Sequence, residues 1–163
     1  MEVAKAAAEL AQQVADSRQP MIFLNIGEPD FIAPPLVQEA AARAISQGHT
    51  QYTAATGLPA LREKISDWYA TRFQADVAPS RIIITAGASA ALHLACLALI
   101  EAGDEILLPD PSYPCNQHFV GAADGRSTLI PTTAAERFQL NADKVAAAWG
   151  PDTRGVMLAS PSN

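Results

Sequence analysis

The run Thr85–Ala90 (TAGASA) joins a short β-branched stretch to an Ala/Leu-rich one, with only small side chains beyond the threonine. A helix beginning there presents unpaired backbone N–H groups, and its dipole favours a negative group at that end. Gly87, Ala88 and Ser89 let a phosphate approach closely, and the Ser89 hydroxyl adds a donor. The spacing is neither GxGxxG nor GxxxxGK[ST], so a lone phosphate ester suits it better than a nucleotide. Taken by itself, the motif is read more simply as tight helix–strand packing. Asp110–Pro114 (DPSYP) follows a second apolar run. Ligands of open α/β sheets bind beyond the carboxyl ends of strands, and an aromatic face there, that of Tyr113, can stack on a flat heterocycle. A tyrosine capping the sheet is the plainer alternative. Gly27, in LNIGEPDF, sits in a Pro-bounded turn where its N–H can donate to a carboxylate or merely turn the chain. Tyr52, in the polar loop HTQYTAATG, has no apolar face to fill. It is free to reach a ligand or a second subunit, or to have no role.

Other chemistries find no support. His49, His93 and His118 have no metal-ligand spacing with Cys or acidic residues, so no metal site is expected. There is no GxSxG elbow for a Ser-His-Asp set. Arg62, Lys64, Arg72 and Arg81 read as solvated faces.

The elements that must position these residues follow from periodicity. Residues 1–18 read as an Ala-rich helix and Met21–Ile26 (MIFLNI) as a short extended segment. Pro34 and Pro35 open a helix carrying Leu36, Val37, Ala40, Ala41, Ala44 and Ile45, and Gly48 stops it. Leu58, Leu61, Ile65, Trp68, Tyr69 and Phe73 share the face of an amphipathic helix. Four strands are expected: Arg81–Thr85, Glu105–Pro109, Ser127–Pro131 and Gly155–Ser160. Helices over Ala90–Glu101 and Tyr113–Ala122, and one capped by Asn141, separate them. That alternation is the signature of an α/β protein, a mainly parallel sheet with flanking helices in α-β-α layers.

Composition sets the outer bounds. A length of 163 residues suits one domain, and 49% hydrophobic residues with only 6% aromatics give an aliphatic core. A net charge of −6 with no basic cluster argues against nucleic acid. No stretch approaches the roughly 20 apolar residues of a membrane span, and the N-terminus lacks a secretory h-region. Cys96 and Cys115 form no CxxC pair, which suits a reducing, cytoplasmic setting.

The order of the motifs is more specific than any one of them. LNIGEPDF, QYTAATGLPALREKI, IIITAGASAAL, ILLPDPSYP and MLASPSN, in this order, resemble the class I/II aminotransferases of pyridoxal-phosphate fold type I, from about residue 20 to residue 163. The resemblance implies pyridoxal 5′-phosphate as cofactor, and an amino acid and a 2-keto acid as substrates. It assigns Ala88 and Ser89 to the cofactor phosphate and Tyr113 to a stack on the pyridine ring. Asn163 becomes the donor to the ring hydroxyl and Gly27 a backbone contact to the substrate carboxylate. Tyr52 becomes the tyrosine that reaches the phosphate of the neighbouring subunit, which implies a homodimer with shared active sites. It also implies that residues 1–33 belong to an N-terminal arm or small-domain segment and residues 34–163 to the N-terminal portion of the cofactor-binding large domain.

The same resemblance implies a Schiff-base lysine that none of Lys5, Lys64 or Lys144 provides. No catalytic residue is therefore expected within this chain, and the 163 residues are expected to be a portion of a longer polypeptide. In the family, later strands insert beside Arg81–Thr85, so that strand is expected to lack its neighbours here and Gly155–Ser160 to keep an open side. Two alternatives to amino transfer stay open: a non-catalytic truncated fragment, and a pyridoxal-phosphate lyase of the same fold.

Overall fold

A computed structural model describes residues 2–15, 18–24 and 26–163. Met1, Asp16, Ser17 and Asn25 lie outside the described residues, and with them parts of the expected first helix and of the expected MIFLNI segment. The chain divides into two compact units, Met1–Tyr52 and Thr53–Asn163.

Among the described residues, the first unit holds two helices. Helix α1 spans Glu2–Gln13 and α2 spans Pro35–Ser46. Pro35 stands at the first position of α2, where a missing N–H costs nothing, and the Pro34 carbonyl accepts from Val37 N and Gln38 N. Gly48 ends the helix with φ +77°, a left-handed value that glycine adopts without strain. The described part of Met21–Ile26 is irregular rather than a strand.

The second unit carries the sheet. Helix α3 (Pro59–Phe73) and a 3-10 turn (Pro79–Arg81) precede α4 (Gly87–Leu99), β1 (Glu105–Asp110), α5 (Cys115–Ala122) and β2 (Arg126–Pro131). A second 3-10 turn (Ala134–Glu136), α6 (Ala142–Ala148) and β3 (Thr153–Val156) complete it. The strands form a parallel sheet in the order β2-β1-β3. The central strand has the near-continuous apolar run of a strand covered on both faces. Ile106 and Leu108 pack with Cys96 of α4 and Val120 of α5, while Leu107 points to the opposite face and is fully buried. Burial raises the Cys96 thiol pKa above its ordinary value.

At the amino-terminal end of the sheet one carboxylate ties all three strands. Glu105 of β1 accepts from the Thr128 hydroxyl of β2 and from the Thr153 hydroxyl of β3, each at 2.6 Å. These two hydrogen bonds, Thr128 first, hold the Glu105 pKa below the usual carboxylate range.

Three expectations are corrected. Arg81–Thr85 is not a ladder strand: after the 3-10 turn the chain runs extended, and its ladder groups meet no neighbouring strand among the described residues. Beyond the local turns at its two ends, Ile84 N donates to Thr56 O at 3.1 Å. Gly57, buried and at φ +94°, lies so close under Ile84 that an added Cβ would overlap its side chain. The apolar residues of α3 do not form a buried face, and no residue of this helix is buried. Trp68, Tyr69 and Phe73 instead cluster with one another, Trp68 edge-on to Phe73 at 4.8 Å between ring centroids. Polar groups fasten the helix: Ser66 Oγ donates to Val77 O and Arg62 to Pro79 O. The last strand is shifted toward the N-terminus relative to Gly155–Ser160, with pairing carried one residue further by Met157 N to Leu107 O.

Candidate cofactor site

Three of the expected residues or motifs lie at one end of the parallel sheet. Helix α4 returns through a short turn into the start of β1, so the two run antiparallel. A helix of its length and a strand of the length of β1 each rise about 20 Å. The first turn of α4 therefore reaches the level of the carboxyl end of β1. Tyr113 follows that end directly, in the loop between Asp110 and α5, and Asn163 lies in the loop after β3.

The first turn of α4 is an uncapped helix start. The helix begins at Gly87, so Ala88 and Ser89 are its first residues rather than a turn before it. No side chain caps this terminus. Gly87 holds φ +83°, its N–H donates to Thr85 O, and the Thr85 hydroxyl donates back to Gly87 O at 2.8 Å. Both hydrogen bonds tighten the entry into the helix and leave the N–H groups of the following residues pointing outward. Ala88 and Ser89 are exposed. An uncapped helix start with a hydroxyl and a favourable dipole is the kind of terminus that suits a negative group.

Tyr113 is half-buried, with its carbonyl accepting from Asn116 N in the first turn of α5. The arrangement fixes the backbone of the tyrosine while leaving part of the ring open. Asn163 is exposed. Gly27 and Tyr52 belong to the first unit, where both are exposed and Tyr52 wholly so, at 107% of the reference area.

Several residues that the sequence did not single out brace these loops. Thr132 follows β2 and donates through both N–H and hydroxyl to Asp110 O, at 2.8 and 3.0 Å. Gln139 Nε2 donates to Ala159 O at 3.0 Å. Between them, Thr133 and Glu136 form a reciprocal cap, and Lys144 reaches Glu136 at 2.6 Å and Pro131 O at 2.8 Å. The hydrogen bond from Lys144, then that from Thr133, lowers the Glu136 pKa. Only the Thr-x-x-Glu spacing of the cap was visible as a local pattern; the longer bonds join residues about 20 positions apart. A separate groove lies on the α4–β3 flank, lined by Cys96, Leu99, Ile106, Val156 and Leu158, with Arg154 beside them. It is mainly apolar and carries none of the candidate residues.

Comparison with known proteins identifies the family and the fold. The family model described as aminotransferase class I and II matches residues 19–163. A (5-formylfuran-3-yl)methyl phosphate transaminase from Methanocaldococcus jannaschii is 34% identical over 154 residues, 94% of this chain and 40% of the relative. An aspartate aminotransferase from Rhizobium meliloti is 36% identical over 99% of this chain and 39% of its own length. The crystal structure of aspartate aminotransferase from Thermotoga maritima superposes with a TM-score of 0.90 at 29% identity, covering 100% of this chain and 43% of that one. The chain thus spans about 40% of the length of the curated relatives it matches. With the motif order, the fold and the extent of the match in agreement, the chain belongs to the aminotransferase class I and II family.

Proposed function

We propose that these residues form the cofactor-binding part of a pyridoxal 5′-phosphate-dependent aminotransferase, which moves an amino group between an amino acid and a 2-keto acid. The observation that carries the reading is the gathering of an uncapped helix start, an aromatic ring and a loop asparagine at one end of a parallel sheet. In this reading the first turn of α4, with Ala88 and Ser89, holds the phosphate. Tyr113 lies against the ring and sets its plane, and Asn163 donates to the ring hydroxyl. Gly27 N–H holds the substrate carboxylate. When bound, the cofactor supplies the electron sink for chemistry at the substrate α-carbon. The residues of this chain bind and orient it.

Full exposure of Tyr52 supports a homodimer in which this side chain reaches the phosphate of the second subunit. The lysine that would bond the cofactor is not among the residues here. Lys64 pairs with Asp67 on α3, and Lys144 is held by Glu136 and Pro131 O. Those ties favour a second reading for the chain on its own, a non-catalytic piece that binds phosphate without turnover. The cytoplasm is the setting that fits two unpaired thiols.

The test is a titration of the purified natural protein with pyridoxal 5′-phosphate, followed in the visible spectrum. A band that appears with the cofactor, bleaches with an amino acid and returns with a 2-keto acid supports amino transfer. Conversion of the amino acid without return of the band by any keto acid would favour a lyase. No band at all would favour the non-catalytic piece.

A further inference from the structure

We propose that Gln139 is a positioning residue: it holds the loop that carries Asn163 in register with the loop that carries Tyr113. The inference rests on the reading of Asn163 and Tyr113 as cofactor contacts. The two loops leave different strands, β3 and β1; the β1–β2 ladder runs to Asp110 and Pro131, and the β1–β3 pairing ends with Met157 N donating to Leu107 O. The segment Thr132–Gln139, which leaves β2, binds both. At one end Thr132, buried, makes two hydrogen bonds to Asp110 O, the residue that opens the Tyr113 loop. At the other end Gln139 Nε2 donates to Ala159 O, four residues before Asn163.

The span between these anchors is itself stiff. Phe138 N donates to Thr133 O and Gln139 N to Glu136 O, closing the segment into a compact turn. The Thr133–Glu136 cap and the Lys144 ion pair fasten that turn to the start of α6 and the end of β2. Arg137 and Phe138 both hold φ 54°, a left-handed conformation that costs non-glycine residues energy unless neighbouring contacts impose it. The turn is therefore over-determined, and a displacement of Asp110 is passed to Ala159 rather than absorbed. A glutamine suits the far end because a side-chain amide can donate to a carbonyl without adding charge beside a cofactor.

The test compares Gln139→Leu, Asn163→Ala and the double variant in the complete polypeptide that carries these residues, loaded with pyridoxal 5′-phosphate. Two quantities are read: the dissociation constant of the cofactor, and the pH midpoint of its visible absorption, which reports the hydrogen bond to the ring. Gln139→Leu should weaken cofactor binding about fivefold to tenfold, moving the pH midpoint in the same direction as Asn163→Ala. The double variant should be no weaker than Asn163→Ala alone, because both act through one contact. Gln139→Glu, similar in size but unable to donate when ionised, should repeat the loss and guards against a folding defect of the leucine variant. If Asn163→Ala moves both quantities and neither Gln139 variant moves either, the positioning role is overturned and the cofactor reading stands. Full additivity in the double variant would also overturn it. If Asn163→Ala moves neither quantity, the assignment of Asn163 falls and the inference falls with it.

Discussion

Ser89 and Tyr113 would offer the cofactor contacts of different kinds, so their removal should be distinguishable. A hydroxyl donating to a charged phosphate contributes more than a neutral hydrogen bond, and Ser89→Ala should weaken pyridoxal 5′-phosphate binding by about tenfold or more. Free phosphate should compete with the cofactor in the wild-type protein, and its own binding should weaken in that variant by a similar factor. For Tyr113 the ring matters and the hydroxyl does not: Tyr113→Phe should bind nearly as the wild type, while Tyr113→Ala should lose about tenfold. Equilibrium dialysis measures all three. A loss in Tyr113→Phe equal to that in Tyr113→Ala would mean that the hydroxyl, not the stack, makes the contact. These residues are legible as candidates from local patterns, a run of small residues at a strand–helix junction and an aromatic directly after an apolar strand, and their roles are implied only by the order of the motifs. Thr132 and Gln139 are not, since each acts on a carbonyl about 20 residues away and leaves no trace in spacing or periodicity.

Helices α4 and α5 and strands β1 and β2 lie close to where the apolar patterns put them, because burial in the core they share imposes the pattern; α2 lies where its prolines and Gly48 put it, with none of its residues buried. The missing neighbours of Arg81–Thr85 agree with the expectation for that segment; the departures are its irregular backbone, the unburied apolar residues of α3 and the shift of the last strand. Ile82–Ile84 has the composition of a buried strand but no ladder neighbour, and the aromatic residues of α3 stack on each other instead. What holds the Ile82–Thr85 segment, and so the entry to α4, is the close fit of Gly57 beneath Ile84. Gly57→Ala adds both an overlap and a left-handed strain, and should destabilise the protein by about 1–3 kcal/mol in urea unfolding. Ile84→Ala in the same chain should restore little of that loss, because it removes Cγ1 but keeps the Ile84 Cβ, 2.6 Å from the added atom, and leaves the strain. The Glu105 staple acts at the same scale. Its pKa is lowered in the folded protein, so its stabilisation is present above the ordinary value of 4.5 and is lost as pH falls below it toward the folded value. Glu136 follows the same direction in the same window. Glu105→Gln should therefore be less stable than wild type at neutral pH and show a shallower loss between neutral and acid, followed by circular dichroism. An unchanged acid profile would remove the staple from the account.

At the scale of the molecule, the α4–β3 flank combines an edge strand with an apolar groove, and the chain spans about 40% of the length of its curated relatives. Edges of this kind pair with other strands unless covered. The 163 residues expressed alone should therefore self-associate, with sedimentation showing species above the monomer mass of 17.2 kDa. A stable monomer would show that the flank needs no cover. The account as a whole is tested most directly by the intact mass of the natural polypeptide, purified with pyridoxal 5′-phosphate and reduced with borohydride. The account predicts a mass well above 17.2 kDa that includes one reduced cofactor, fixed to a lysine outside these residues. A mass of 17.2 kDa with no adduct would contradict it, leaving the fold and family in place without the activity.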